Sequence, residues 1–336
     1  MYYMGVDYHK QYSHLTILDK GGKVLRSGMV TNDQEDIRRF LVGLENMKAV
    51  VEAGRTSYVM ADMLEWMGID IKIANPMQVK AIAQAKIKTD KRDSRVLADL
   101  LRADLIPEVY MRSQENREAQ RILRQRVFFV RMRTQVKNRI AWILGMQMPG
   151  VLTDSEAVKN LYTQRGLQFL KSVQLGESDR KIMDELLESY HHLTKRIHVS
   201  DGYVKELYAS MKEAKLVRTI PGFGPFYSVL VPVEIGEISR FPKAEKLHAY
   251  TGVIPSLHSS GGKVYHGKII KAGNKWLRWA AIEAVWPATV ADVRLKIFYQ
   301  SRAWRKGANV AKVATARRLL TIVYRVLKEE RPYDIH

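Results

Sequence analysis

The sequence predicts an α/β plus α protein: an N-terminal mixed sheet flanked by helices, then long coiled-coil-like helices, then a mainly helical C-terminal domain. Short β-rich runs alternate with helical patterns up to Pro76, apolar residues recur every seven positions between Glu115 and Met148, and positive charge gathers after residue 110. A chain of 336 residues is long enough for more than one core. We expect divisions at 1–110, 111–214 and 215–336.

The first elements read as three consecutive strands, Tyr3–Tyr8, Tyr12–Leu18 and Lys23–Val30, with Lys20-Gly21-Gly22 as the turn between the last two. Asn32 and Asp33 offer caps for a helix reaching about Leu44. Ala49-Val50-Val51 is a buried-strand run that ends at Glu52-Ala53-Gly54. A helix over about Tyr58–Met67 and a strand over Ile69–Ala74 follow. From Asp90 a helix runs to about Ala103, with Val96, Leu97, Leu100 and Leu101 on its buried stripe. The long helix from Glu115 to Met148 places Ile122, Phe129, Val136 and Ile143 on one seam. A second, from Asp179 to Lys212, keeps three-four spacing through Leu186, Tyr190, Leu193, Ile197, Val204, Leu207 and Met211, so the two pair antiparallel or with a second subunit. After Leu216 come the turn Ile220-Pro221-Gly222-Phe223-Gly224-Pro225, an apolar helix closed by Gly236, a Ser/Gly loop over residues 256–262, and two further helices to Lys328.

Charge narrows the function. The formal net charge is +20, with 55 Lys/Arg against 35 Asp/Glu. Residues 1–76 carry 9 basic and 10 acidic side chains, a net of −1, whereas residues 111–150 carry 9 against 2, a net of +7. Between Gly262 and Arg318 only Glu283 and Asp292 oppose the cations. So basic a balance calls for a polyanion, and nucleic acid suits it better than a membrane. No apolar run approaches a membrane span and the first ten residues lack a signal-peptide layout. Cysteine is absent, which excludes disulfides, thiolate zinc and cysteine nucleophiles, and fits a reducing cytoplasm.

Four acids are the catalytic and metal-ligating candidates. Asp7 lies in the first strand and Glu52 ends the fourth, positions that a mixed sheet can place side by side. Asp90 and Asp93, three apart, share one face of a helix start. Hard carboxylate oxygens suit Mg²⁺ or Mn²⁺, and two such ions can hold both the attacking and leaving oxygens of a phosphoryl transfer. The competing reading makes Asp90 an N-cap and Asp93 an acid at the third helical position, both serving only the helix dipole. Six of the nine histidines, His9, His14, His191, His192, His248 and His266, show no ligand spacing and read as surface or core residues. Trp142, Trp276, Trp279 and Trp304 read as packing residues.

Nucleic-acid contacts are expected from Arg121, Arg124, Arg131, Lys137 and Arg139 on the first long helix and from Gly222 and Gly224, whose turn can cradle a phosphate with backbone N–H groups. Lys263, Lys268, Lys271 and Arg278 around the Ser/Gly loop complete the set. A serine in that loop is either a nucleophile towards a phosphodiester or a hydrogen-bonding contact to phosphate.

The strand and helix order resembles that of ribonuclease-H-like nuclease domains, although actin-like kinases begin in the same way. Over nearly its full length the chain resembles the DEDD transposases of bacterial insertion sequences, the group that includes the Piv DNA invertases. The likeness rests on Gly5-Val6-Asp7-Tyr8-His9-Lys10, Glu52-Ala53-Gly54, Lys88-Thr89-Asp90-Lys91-Arg92-Asp93-Ser94, the turn at Ile220–Pro225, and the stretch from Gly252 to Arg278. The resemblance implies a RuvC-like domain whose acids are Asp7, Glu52, Asp90 and Asp93. It also implies a C-terminal transposase domain whose serine forms a covalent phosphoserine link to DNA. That serine precedes a glycine, which selects Ser260, with Ser259 adjacent. A structured non-coding guide RNA, donor and target DNA, homodimers assembling to tetramers and a place at the bacterial nucleoid are implied as well. Three other readings stay open: a RuvC-like junction endonuclease without serine catalysis, an actin-like sugar kinase, and a non-catalytic nucleic-acid scaffold.

Overall fold

The three N-terminal strands are β1 (Tyr2–Tyr8), β2 (Tyr12–Leu18) and β3 (Val24–Thr31), joined as an antiparallel meander. Helix α1 (Gln34–Leu41) leads to β4 (Met47–Glu52), and α2 (Ser57–Trp66) leads to β5 (Asp70–Ala74). Both later strands run parallel to β1, giving the sheet order β3-β2-β1-β4-β5. The computed structural model describes residues 1–83, 89–148, 150, 161–260, 263–270 and 272–334, without the side chains of 257–260, 263–266 and 268. It divides into two units, Met1–Arg112 and Ser113–His336.

Strand alternation sorts the first unit's side chains onto two faces. Met4 and Val6 of β1, with Leu15, Ile17, Ala49 and Val51, pack on one face with Ile37 and Leu41 of α1 and Met60, Ala61 and Leu64 of α2. On the other face Val50 and Ala74 meet Leu97, Leu100 and Leu101 of α4 (Asp90–Arg102). Between β5 and α4 lies the short α3 (Pro76–Ile82). Asp33 alone caps α1, accepting from the amides of Glu35 and Asp36, and the helix stops at Leu41 rather than Leu44.

In the second unit α5 (Gln114–Gln147) and α7 (Glu177–Ser210) flank α6 (Gln164–Ser172). The two long helices are antiparallel, since Arg126 meets Asp201, Arg133 meets Thr194 and Gln147 meets Asp179. The expected seam of α5 needs correction. Leu123, Val127, Ile140, Ile143 and Leu144 are buried, while Ile122, Phe129 and Val136 are only half-buried. An uncoiled helix of this length meets different partners at its two ends, so a single seven-residue seam does not persist. Ile140, Ile143 and Leu144 join Leu161, Leu170, Met183 and Leu187 in one core. Ala119 and Leu123 join Val204 and the C-terminal helices in another, so the division expected near residue 214 crosses this core.

The C-terminal helices are α8 (Lys212–Arg218), α9 (Pro225–Ile235) and α10 (Ala244–Thr251). After them the expected Ser/Gly loop is a hairpin of β6 (Pro255–Ser260) and β7 (Lys263–Ile269), with residues 261–262 outside the described set. The final stretch, expected as two helices, is broken into four: α11 (Lys275–Glu283), α12 (Val285–Ala291), α13 (Val293–Lys306) and α14 (Ala308–Glu329). Asp292 ends α12 and caps α13 through the amides of Arg294 and Leu295. Gly307, at φ +82°, separates α13 from α14.

Candidate active site

The site starts from a missing methyl group. A Cβ on Gly5 would stand 1.9 Å from the Ser94 carbonyl oxygen and 2.6 Å from the Ala98 nitrogen, so only glycine lets α4 lie this close to β1. Asp7, two residues on, shares the face of Gly5 and therefore points to the N-terminal end of α4. Ser94, fully buried, ties that end to the sheet: its hydroxyl shares hydrogen bonds with His14 Nδ1 at 2.9 Å and Thr16 Oγ1 at 2.8 Å. The register pairs Val6 with Val51 in parallel, so Asp7 and Glu52 follow as neighbours at the ends of adjacent strands.

Thr89, not Asp90, caps α4: its hydroxyl accepts from the Arg92 amide at 3.3 Å. Asp90 is the first helical residue and Asp93 the fourth, so Asp90 is not the N-cap, and both acids lie in the first turn of the helix. Ligand atoms of Asp7, His9 and Asp90 lie within 4.8 Å of one another. His9 Nε2 is 3.3 Å from Asp7 Oδ2 and 3.3 Å from Asp90 Oδ2. Tyr12 donates to Asp90 Oδ2 at 3.3 Å and packs its ring on that of His9, with centroids 4.8 Å apart. His9, expected as an ordinary surface or core residue, is 40% exposed and stands between two acids.

Electrostatics identify a site short of positive charge. Burial raises the pKa of Asp7 above the usual carboxylate value, His9 opposes that rise, and Asp90 and Asp93 reinforce it. Asp90 also holds the Tyr12 phenol up, and burial pushes His14 down. Converging carboxylates and one imidazole on a rigid strand–helix contact are donors that fit a divalent cation. Glu52 is solvent-exposed beside this cluster and Asp93 lies within its electrostatic reach.

In the second unit, Ser260 ends β6 opposite Lys263, and its side chain lies outside the described residues. The foot of this hairpin is tightly built. Gly252, at φ +73°, would press a Cβ 2.6 Å from the Ile270 carbonyl oxygen, and one on Gly273 would stand 2.6 Å from that of Tyr250. Arg278 donates to the Thr251 carbonyl at 2.9 Å. The buried Glu234 accepts from Asn274 at 2.7 Å and from Arg124 at 3.1 Å, while Asn274 caps α11.

The chain matches the IS110-type DEDD transposase domain over residues 4–149 and the transposase domain of the IS116/IS110/IS902 family over residues 214–300. The chain belongs to the DEDD transposases of insertion sequences. Its relatives include the transposase for insertion sequence element IS1111A of Coxiella burnetii, 28% identical over 98% of this chain and 90% of the relative. The transposase for element IS1328 of Yersinia enterocolitica is 24% identical over 96% and 95%. The pilin gene-inverting protein of Moraxella bovis is 26% identical over 79% and 74%.

The expected nucleic-acid contacts of the transposase fall into distinct settings. Arg121 and Arg139 are exposed, the latter over the Trp142 ring. Arg131 and Arg124 both lie over Trp276. Lys137 is enclosed over the Tyr162 ring at 4.0 Å, and burial lowers its pKa. Gly222, at φ +94°, packs against the Ala284 carbonyl, whereas Gly224 faces open space. Lys271 and the side chains of Lys263 and Lys268 are outside the described residues. A cleft of about 430 Å³ between α13 and α14 adds Arg302, Lys306, Arg317 and Arg318, with no acidic residue lining it. Trp276 and Trp279 pack on the core as expected, but Trp142 is half-exposed and Trp304 is 87% exposed, since among the described residues no element covers them. Among the described residues no helix is long and apolar enough to cross a membrane.

Proposed function

We propose that this transposase cuts and rejoins DNA through a covalent phosphoserine intermediate formed by Ser260, at donor and target sites chosen by a structured guide RNA. The convergence of Asp7 and Asp90 on His9 is the observation that carries the metal half of the reading. Asp7, Glu52, Asp90 and Asp93 would hold Mg²⁺ or Mn²⁺, two ions in the full complex, and the metal would neutralise the scissile phosphate.

The serine step conserves phosphoester bonds. Ser260 Oγ attacks phosphorus, the P–O bond to one sugar breaks, and the serine proton ends on the departing sugar oxygen. A sugar hydroxyl then reverses the step on a new strand, so rejoining needs no nucleotide triphosphate. The rigid foot of the hairpin, held by Gly252, Gly273, Arg278 and Asn274, supports a role in positioning this serine. The basic cleft and α5 supply cations for DNA and RNA backbones. The pilin gene-inverting relative favours recombination over simple cleavage. Homodimers through the long helices, assembling to tetramers, complete the proposed machine, acting at the bacterial nucleoid.

The decisive test incubates the protein with guide RNA, metal and labelled donor DNA, then looks for label retained on denatured protein. Ser260→Ala should abolish the adduct and leave DNA binding intact. Adducts that survive Ser260→Ala and also Ser259→Ala would sink the serine mechanism. Hydrolytic nicking by Ser260→Ala would move the protein to the junction-nuclease class.

A further inference from the structure

The acid cluster contains one group of a different chemical kind. His9 follows Asp7 by two residues and lies just past the end of β1. Its Nε2 stands at equal distance, 3.3 Å, from Asp7 Oδ2 and Asp90 Oδ2. The atom is shielded from solvent and makes no well-aligned hydrogen bond, although it lies close enough to Asp7 to oppose the rise of that carboxyl's pKa. A nitrogen serving as an ion-pair donor aims its proton at one acceptor. A nitrogen at equal short distance from two carboxylate oxygens is placed as a third ligand. Adjacent ligands of a six-coordinate ion with bonds of about 2.1 Å stand about 3 Å apart, close to the spacing found. Tyr12 braces the arrangement from outside, stacked on the imidazole and bonded to Asp90.

We infer that His9 Nε2 is a nitrogen ligand of the divalent ion held by Asp7 and Asp90, and that this mixed oxygen–nitrogen set prefers Mn²⁺ to Mg²⁺. The inference rests on the metal reading above and adds to it the ligand that decides between the two ions. Mg²⁺ favours oxygen and water and gains little from imidazole, whereas affinity for nitrogen rises along the later divalent metals. Loss of the ring should therefore cost about tenfold or more in Mn²⁺ affinity and much less in Mg²⁺ affinity.

The test uses the full-length protein and Mn²⁺ alone. Bound ion is counted by electron paramagnetic resonance, and nitrogen ligation is read from pulsed-resonance modulation at the bound ion. The wild-type protein should show ¹⁴N coupling that changes to the ¹⁵N pattern when histidine is ¹⁵N-labelled, a result that needs no variant. His9→Ala should lose the coupling, and His9→Asp should still bind Mn²⁺ but without any nitrogen signal. Bound Mn²⁺ with no nitrogen coupling, or coupling that persists in His9→Ala, overturns the assignment while leaving a carboxylate site. If wild-type and Asp7→Asn proteins bind the same small amount of Mn²⁺, the metal reading itself fails and His9 falls with it.

Discussion

At the scale of single residues, the site depends more on what Gly5 lacks than on what the acids offer. Its contact with α4 is backbone on backbone, so Gly5→Ala must push the helix away or bend the strand. We expect a loss of about 1–3 kcal/mol in stability, with Mn²⁺ binding lost in step because Asp7 and Asp90 separate. Thermal unfolding and metal titration on the same protein check both outcomes. That Asp7 needs a partner was legible in the sequence, since a carboxylate in an apolar strand requires one, and Asp7 lies beside His9 with Asp90 within its electrostatic reach. His9 was not, because sequence spacing compares histidines with one another and misses a ring that meets acids from two distant elements. The N-cap on α4 was misplaced by one position: Thr89 and Asp90 are both good caps, and only backbone geometry decides between them.

At the scale of elements, the strands and helices expected in the first unit are present with ends shifted by a residue or a few, and the short α3 is added to them. Several features escaped, three of them in the second unit. The Ser/Gly segment pairs as β6 and β7, with His258 opposite Tyr265 and Ser259 opposite Val264, although its serines and glycines give the sequence the composition of a loop. The seam of α5 changes partners along its length. The final helices break at Asp292 and Gly307, where a capping acid and a left-handed glycine interrupt an otherwise helical composition. Between α10 and α14, His248 shares a hydrogen bond with Thr321 at 3.1 Å. Burial lowers its pKa, Glu245 opposes, and Arg317 lowers it further through charge. The folded state thus favours the neutral ring, and the unfolded chain takes up the proton first. This contribution to stability is present above the ordinary histidine value of about 6.5 and is lost as pH falls below it. His248→Gln, which keeps a hydrogen-bonding group but cannot titrate, should show a smaller fall in melting temperature than wild type between neutral and mildly acidic pH.

For the whole molecule, the net charge of +20 is divided unequally, with residues 1–76 near neutrality and the cations further along the chain. That asymmetry was plain in the sequence. Its arrangement was not, since Arg302, Lys306, Arg317 and Arg318 come from two helices whose break at Gly307 brings them around one cleft. Binding to non-specific DNA should weaken steeply and linearly in a plot of log affinity against log salt. Reversing Arg302 and Arg318 to Glu should reduce that slope by about two, one for each phosphate deprived of its cation. An unchanged slope in filter-binding or anisotropy titrations would remove the cleft from the DNA path.

The approach of β1 to α4 also carries a lesson for genetics. A defect caused by an oversized side chain is commonly repaired by trimming the neighbour it strikes. Opposite Gly5 the neighbours are a carbonyl oxygen and a backbone nitrogen, which no codon change can make smaller. Revertants of a Gly5 lesion are therefore confined to true reversion or to changes that slide the whole helix. Position 5 therefore has almost no room for any residue but glycine.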